Sequence, residues 1–263
     1  MKNSQERKPS KLVKENQIWQ LGQHRLLVGS CTDTAIVNEL LKGIKVNAII
    51  TDPPYGISYV ESKENIGKPT KNKVIANDNI VKESDYGIFS EAWLKPVLPY
   101  LSKKNSIYIF NCDKMLFALR QAMNNCDIYF SQLIIWIKNQ ATLARKDYAP
   151  QHELILYGWY GTHAFRKSKD KSVIFYPKPS KSVYHPTTKP INLIAQIILN
   201  STRIGEVVYD PFLGSGTALL ACHKTGRICY GSEIDIEYAT TIISRFEHMS
   251  NIEAVLVYEK DER

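Results

Sequence analysis

Two short β-branched runs, each ended by Asp-Pro, constrain this chain most. Val46-Asn47-Ala48-Ile49-Ile50 leads into Asp52-Pro53-Pro54-Tyr55, and Val207-Val208-Tyr209 leads into Asp210-Pro211-Phe212-Leu213-Gly214-Ser215-Gly216-Thr217. An apolar run of this kind, stopped by proline, reads as a buried parallel strand that ends at an abrupt turn. Strands of this type alternate with stretches of helical periodicity. The expected architecture is therefore α/β, an open and mostly parallel twisted sheet with ligands at the carboxyl edge of its strands.

The two turns differ in chemistry. Pro53 and Pro54 stiffen the backbone and leave carbonyls free, Asp52 adds a carboxylate acceptor, and Tyr55 adds an aromatic face. Such a pocket suits a planar base with an exocyclic NH2: Asp52 and the Pro53 carbonyl each take one N–H, which readies the nitrogen lone pair for attack on an electrophile. Four residues alone are equally compatible with an ordinary strand end and a Pro-Pro turn. At the second turn, Gly214 and Gly216 let a cofactor approach the backbone. About twenty residues on, Ile228-Cys229-Tyr230-Gly231-Ser232-Glu233 puts an acid at the next strand end, where a carboxylate can accept both hydroxyls of a ribose. The third glycine of the dinucleotide fingerprint is missing.

Together these residues resemble the S-adenosylmethionine-dependent DNA amino-methyltransferases, the N6-adenine/N4-cytosine family. Asp52-Pro53-Pro54-Tyr55 looks like that family's catalytic motif, Asp210 to Gly216 like its cofactor motif, and His185-Pro186-Thr187-Thr188-Lys189-Pro190 like the segment preceding the cofactor motif when the catalytic motif comes first. The likeness runs from about Trp19 to about Phe246. It implies a Rossmann-like methyltransferase fold with an antiparallel edge hairpin. It further implies transfer of a methyl group from S-adenosyl-L-methionine to an exocyclic amino group of a base flipped out of double-stranded DNA. Catalysis would fall to Asp52, Pro53, Pro54 and Tyr55. Cofactor binding would fall to Asp210, Phe212, Gly214, Ser215, Gly216 and Glu233, with His185, Lys189 and Pro190 at the methionine end. Relatives often contact adenine through an aspartate after the first strand. Here Ser30 and Cys31 stand at that place, so the contact passes to a hydroxyl or backbone group there, or to Asp33. The initial Asp is more typical of adenine-N6 enzymes than of cytosine-N4 enzymes, which often begin with Ser. Adenine N6 is the expectation, with cytosine N4 second. Two further classes stay open: an RNA or protein amide-nitrogen methyltransferase, in which the cofactor motif usually comes first, and a DNA-binding paralogue without catalysis. A homodimer is expected by analogy, as is a restriction-modification setting.

Composition narrows the partners. The formal charge is +8, and Arg166, Lys167, Lys169, Lys171, Lys178 and Lys181 fall in one stretch whose single acid is Asp170. With Phe165, Phe175, Tyr176 and Tyr184 interleaved, the stretch suits phosphate contact and base stacking, so residues 160–184 are expected to be a short target-recognition insert that binds DNA. Five cysteines at scattered positions point to free thiols in a reducing, cytoplasmic compartment and against structural zinc. No apolar run approaches membrane-spanning length, and the N-terminal residues hold no apolar signal core. Neither metal nor membrane is expected.

Residues 1–16 read as a disordered basic tail, 17–159 as the catalytic half of the domain and 185–263 as its cofactor half. Trp19 to Gly29 reads as a turn and a strand. Gly56 to about Asn79 reads as a lid loop. Asp113 is expected to cap a helix, and Tyr129–Ile137 and Glu153–Tyr157 to form the antiparallel edge pair. Trp136 and Lys138 resemble residues near the target-base pocket and read equally well as a core Trp beside a solvated Lys. Gln151-His152-Glu153 is read as a surface polar cluster, because no second histidine stands at helical spacing.

Overall fold

A computed structural model describes residues 11–56, 79–141, 147–166, 170–177 and 189–260. The first part of the chain contains β1 (Gln17–Leu21), β2 (His24–Val28), α1 (Thr34–Leu41), β3 (Val46–Thr51), α2 (Glu83–Leu94), β4 (Leu101–Asn111), α3 (Leu116–Asn125), β5 (Ile128–Ile137) and β6 (His152–Tyr160). Short strands β7 (Thr162–His163) and β8 (Val173–Phe175) follow, then α4 (Ile191–Ser201), β9 (Val207–Asp210), α5 (Thr217–Thr225), β10 (Ile228–Glu233), α6 (Ile236–Ser250) and β11 (Val255–Glu259).

Ten strands form one path in the order β11-β1-β2-β10-β9-β3-β4-β6-β5-β8, and β7 pairs with β4. The central strands β2, β10, β9, β3 and β4 are mutually parallel. Antiparallel pairing is confined to the flanks, at β11/β1/β2 and at β4/β6/β5. Side chains alternate across the sheet as strand geometry requires. Ile107 and Ile109 of β4 and Tyr209 of β9 pack with Ile36, Trp93 and Leu119 from α1, α2 and α3. Tyr108 and Phe110 of β4 and Val208 of β9 pack with Leu193, Leu219 and Ile242 from α4, α5 and α6. Among the described residues each face is thus covered by three helices. Each fully buried large side chain contributes about 1.5–3 kcal/mol of transfer free energy.

Local chemistry sets the helix ends. The Asp33 carboxylate accepts from the Ala35 amide at 2.9 Å and caps α1. α2 stops before Pro96, and a 3-10 turn at Lys95–Tyr100 carries both prolines. Asp113 begins a 3-10 turn, Asp113–Met115, while α3 starts one turn later without a side-chain cap, which corrects the expected cap. Trp19 to Gly29 is a hairpin, with Trp19 paired to Leu26. Residues 11–16, expected to belong to the tail, are packed: Val13 is buried, Lys11 pairs with Glu247 at 2.8 Å, and the Asn16 amide donates to the Val28 carbonyl. Residues 1–10 and the expected lid at 57–78 lie outside the described residues. The expected insert is partly sheet, since β8 extends the edge by pairing in parallel with β5. Among the described residues no helix is long and apolar enough to cross a membrane.

Candidate active site

β3 and β9 are parallel neighbours at the middle of the sheet, and from them the chain leaves in opposite directions. β3 is followed by β4 on one side and β9 by β10 on the other. Connections that diverge in this way open a crevice at the carboxyl ends of the two strands. Asp52 follows β3 into that crevice and Asp210 ends β9 beside it. The two turns are tied directly: the Thr51 hydroxyl donates to Asp210 Oδ1 at 2.7 Å, across 159 positions of sequence.

On the β3 side the carboxylate is held by a chain of alternating charges. Tyr55 Oη donates to Asp52 Oδ1 at 2.6 Å and lies 3.0 Å from Glu153 Oε2. A phenol has one proton, so it serves one acceptor at a time, and Asp52 is the nearer. Lys189 Nζ, just before α4, donates to Asp52 Oδ2 at 2.5 Å and pairs with Glu153 Oε2 at 3.1 Å. Lys138, just after β5, pairs with Glu153 Oε1 at 2.7 Å. Lys189 Nζ also sits 5.5 Å from the Tyr55 ring centroid and 5.3 Å from that of Phe110. One quarter of the Asp52 side chain stays exposed against 6% for Lys189, so the carboxylate is the group a substrate can reach. Burial raises the Asp52 pKa above the ordinary carboxylate value, with Lys189 opposing. Burial acts upward on Glu153 too, but its two ammonium partners outweigh it and bring the group down to about 2. Burial alone would depress Lys189, yet Asp52 and Glu153 raise it. Gly56 closes the turn at φ +64°, and a Cβ there would lie 2.1 Å from the Ile80 carbonyl oxygen, so only glycine fits.

On the β9 side the carboxylates are held by the backbone. Glu233 Oε2 accepts from the Gly214 amide at 2.7 Å, and Oε1 accepts from the Asp235 amide at 2.9 Å. Asp210 accepts from the Phe212 amide at 3.1 Å in addition to Thr51. Among the described residues neither carboxylate has a cation at ion-pair distance, and burial pushes both Asp210 and Glu233 up to about 7. Gly216 caps α5 at φ +84°, where an added Cβ would press on Ile242 at 3.1 Å. Phe212 stacks edge-on against Trp93, and the carbonyl of buried Ser215 accepts from Arg245.

Several expected site residues lie elsewhere or face differently. The strand end before Ser30 is beside Glu233: the Gly29 amide donates to the Glu233 carbonyl at 2.9 Å. Ser30 Oγ shares a hydrogen bond with Thr32, Cys31 is buried in the core, and Asp33 is occupied as the α1 cap. Pro190 opens α4, but the Lys189 ammonium is turned to Asp52 and Glu153. Arg166, expected to contact DNA, is exposed but lies away from the Asp52 turn. Its amide donates to the Asn200 carbonyl and its guanidinium pairs with Glu206 at 3.8 Å, just before β9 begins. That is the amino edge of the sheet, opposite Asp52. Lys171 lines a cavity of about 240 Å³ with Tyr108, Tyr157 and Asp170. Lys167, Lys169, Lys178, Lys181 and His185 lie outside the described residues.

Glu153, set aside in the sequence, and Lys138, read there either as a neighbour of the base pocket or as solvated, belong to the site. Glu153 is 16% exposed and at the centre of the charge chain, and Lys138, 6% exposed, is its partner, so the surface-cluster and solvated-lysine readings are both corrected. Trp136 is a core residue whose indole N–H donates to the Tyr176 carbonyl. The usable signal was strand alternation: Glu153 opens the apolar run Leu154-Ile155-Leu156 on β6, one residue past exposed His152.

Comparison with known proteins places these features in context. The N6/N4 methyltransferase family model, described as DNA methylase, matches residues 46–244. The chain is 26% identical over 247 residues to the type II methyltransferase M.HpaI of Haemophilus parainfluenzae, covering 84% of this chain and 74% of that protein. It is 23% identical over 238 residues to M1.MboII of Moraxella bovis, covering 73% and 86%. Among solved structures, the M1.HpyAVI-SAM complex aligns with TM-score 0.61 at 24% identity over 84% of this chain and 98% of that one. The cytosine-N4-specific PvuII DNA methyltransferase aligns with TM-score 0.67 at 14% identity over 91% of each.

Proposed function

The chain belongs to the N6/N4 DNA methylase family, and from that premise we infer that it transfers a methyl group from S-adenosyl-L-methionine to the exocyclic N6 of adenine within a specific DNA sequence. The observation that carries the reading is the shared crevice, in which the Asp52 turn and the Asp210 turn are joined by the Thr51 hydrogen bond. The cofactor supplies an electrophilic methyl on a sulfonium centre.

The residues of the β9 side fit that cofactor. The Glu233 oxygens, fixed by two backbone amides, keep lone pairs for two ribose hydroxyls. The Gly214–Gly216 turn lets a ligand approach its backbone, and Ser30 stands at the next strand end for the adenine of the cofactor. On the β3 side, Asp52 accepts an N–H of the target amino group, and the adjacent Pro53 carbonyl accepts the other. The Tyr55 ring is clamped by its hydroxyl and flanked by Lys189, and its aromatic surface suits stacking with a flipped base. Flipping costs a few kcal/mol, which stacking partly offsets. The proton released on methylation passes to Asp52, whose raised pKa makes it a better acceptor than an ordinary carboxylate.

Incubation with unmodified genomic DNA and S-adenosyl-L-methionine, followed by mapping of modified bases, tests the reading. N6-methyladenine in one recurrent sequence context is expected. Modification confined to cytosine N4 reassigns the base, and transfer to RNA or protein in place of DNA overturns the reading.

A further inference from the structure

We propose that Glu153 and Lys138 are positioning residues for the transfer: Glu153 competes with Asp52 for the Lys189 ammonium and so sets how much of the Asp52 carboxylate is free to receive the target amino group. This rests on the reading of Asp52 as the acceptor.

The geometry carries it. Lys189 Nζ has three hydrogens and two carboxylate oxygens in reach, Asp52 Oδ2 at 2.5 Å and Glu153 Oε2 at 3.1 Å. Lys189 and Tyr55 each take one lone pair, on different oxygens of Asp52, so an incoming amino N–H must share an oxygen with one of them and meets less competition when Lys189 leans toward Glu153. Glu153 offers Lys189 a second seat without moving it from the pocket. Asp52 can then take the amino group while the ammonium stays neutralised. Lys138 sets the strength of that second seat, because it occupies Glu153 Oε1 at 2.7 Å and keeps the carboxylate from turning wholly to Lys189. Four strands and one helix start contribute to this arrangement. Asp52 and Tyr55 follow β3, Asp210 ends β9 on one side, Glu153 comes from β6, Lys138 follows β5, and Lys189 precedes α4. Those are the charged and titratable groups facing Asp52 or linked to it through Glu153. The order Lys138, Glu153, Lys189, Asp52 alternates in sign, so a change at its far end is felt by Asp52 with a predictable direction. Burial keeps these charges from being screened by solvent, and the cluster titrates as a unit.

The experiment is the pH profile of kcat/KM for DNA methylation at saturating S-adenosyl-L-methionine in the full chain. In Glu153→Gln, Lys189 is left to Asp52 alone. The acidic limb then moves to lower pH by about one unit and kcat falls at least about tenfold, while KM for the cofactor changes less than about threefold. In Lys138→Met, Glu153 turns to Lys189 and Asp52 is less neutralised, so the limb moves to higher pH. Glu153→Asp, which keeps the charge, returns the limb toward wild type. Each rate is divided by the folded fraction read at the same pH by circular dichroism, so a pH-dependent loss of stability in a variant is not mistaken for a moved limb. Limbs that stay in place, or that move in the same direction in Glu153→Gln and Lys138→Met, overturn the inference. Failure of the underlying reading looks different: Asp52→Asn would retain activity, or the wild type would label no DNA.

Discussion

The two turns that meet at the centre of the sheet keep their carboxylates in opposite ways. Beside β3, Asp52 and Glu153 share two buried ammonium groups. Beside β9, Asp210 and Glu233 are more deeply buried but receive only a hydroxyl and backbone amides. The first half is charge-balanced before any ligand arrives. The second half carries two carboxylates near pH 7 in their titration, neither with a cation at ion-pair distance among the described residues, an environment that gains from a positively charged ligand. A sulfonium cofactor is such a ligand, and an amino group losing a proton belongs on the other side.

The largest effect should come from separating the two functions. Asp52→Asn is expected to lower methyl transfer about 10³-fold or more while cofactor affinity, read by calorimetry, changes less than about threefold. Glu233→Ala should do the converse, weakening cofactor binding about 10- to 100-fold through loss of hydrogen bonds to a charged group. Similar losses of cofactor affinity in both variants would erase the distinction between the halves.

A second test uses pH. Asp210 and Glu233 have folded pKa values of about 7, above their ordinary values of 3.8 and 4.5. Ionising them therefore works against folding, absent below about pH 4, growing as pH rises to 7 and complete above it. Glu153, at about 2 against 4.5, runs the other way: its stabilisation is present above 4.5 and is lost as pH falls toward 2. Asp210→Asn should accordingly raise the stability of the cofactor-free protein at pH 8, on the order of a few kcal/mol, and leave it nearly unchanged at pH 4. Chemical denaturation at the two pH values reads this directly, and equal effects at both would contradict the burial argument.

Backbone geometry separates the halves more mildly. Gly56→Ala collides with the rigid Ile80 carbonyl, whereas Gly216→Ala meets the side chain of Ile242, which can yield. Both also lose a positive φ, so both are destabilised, Gly56→Ala by more than about 2 kcal/mol and Gly216→Ala by about 1 kcal/mol. The smallest effect is expected at Arg166, which pairs with Glu206 at the far edge. Arg166→Ala should change DNA affinity, measured by fluorescence anisotropy, less than about twofold. A tenfold loss would put DNA on the amino edge.

What was legible in the sequence follows the same division. Both turns announced themselves locally, as β-branched strands stopped by Asp-Pro, and Glu233 stood at a spacing that βαβ geometry imposes. Asp33, Pro190 and the prolines after Leu94 likewise act through neighbours in the chain, and each could be read there. Lys138 was legible only as one of two readings, and Glu153 carried only a weak local signal at the head of the β6 apolar run. Their roles depend on Tyr55 and Lys189, 98 positions before and 36 after Glu153, which reach it only because β6 lies beside β4 and α4 starts over the crevice. Val13 went unread for a related reason: two apolar residues, Leu12 and Val13, between lysines have no period, and the burial of Val13 comes entirely from tertiary contact. Arg166 stands at the edge away from Asp52 because clustering in sequence does not place residues on one face when the chain climbs from one sheet edge to the other.

The central claim is that the two turns act as one cleft within one chain. Asp52→Asn and Glu233→Ala are prepared separately, and transfer of isotopic methyl to duplex DNA is measured for the wild type, for each variant and for their equimolar mixture. With wild-type protein labelling DNA strongly, the account predicts that the mixture labels no more than the sum of its two components. Recovery of a substantial fraction of wild-type labelling in the mixture would show that the donor and acceptor halves work across different chains, and would contradict it.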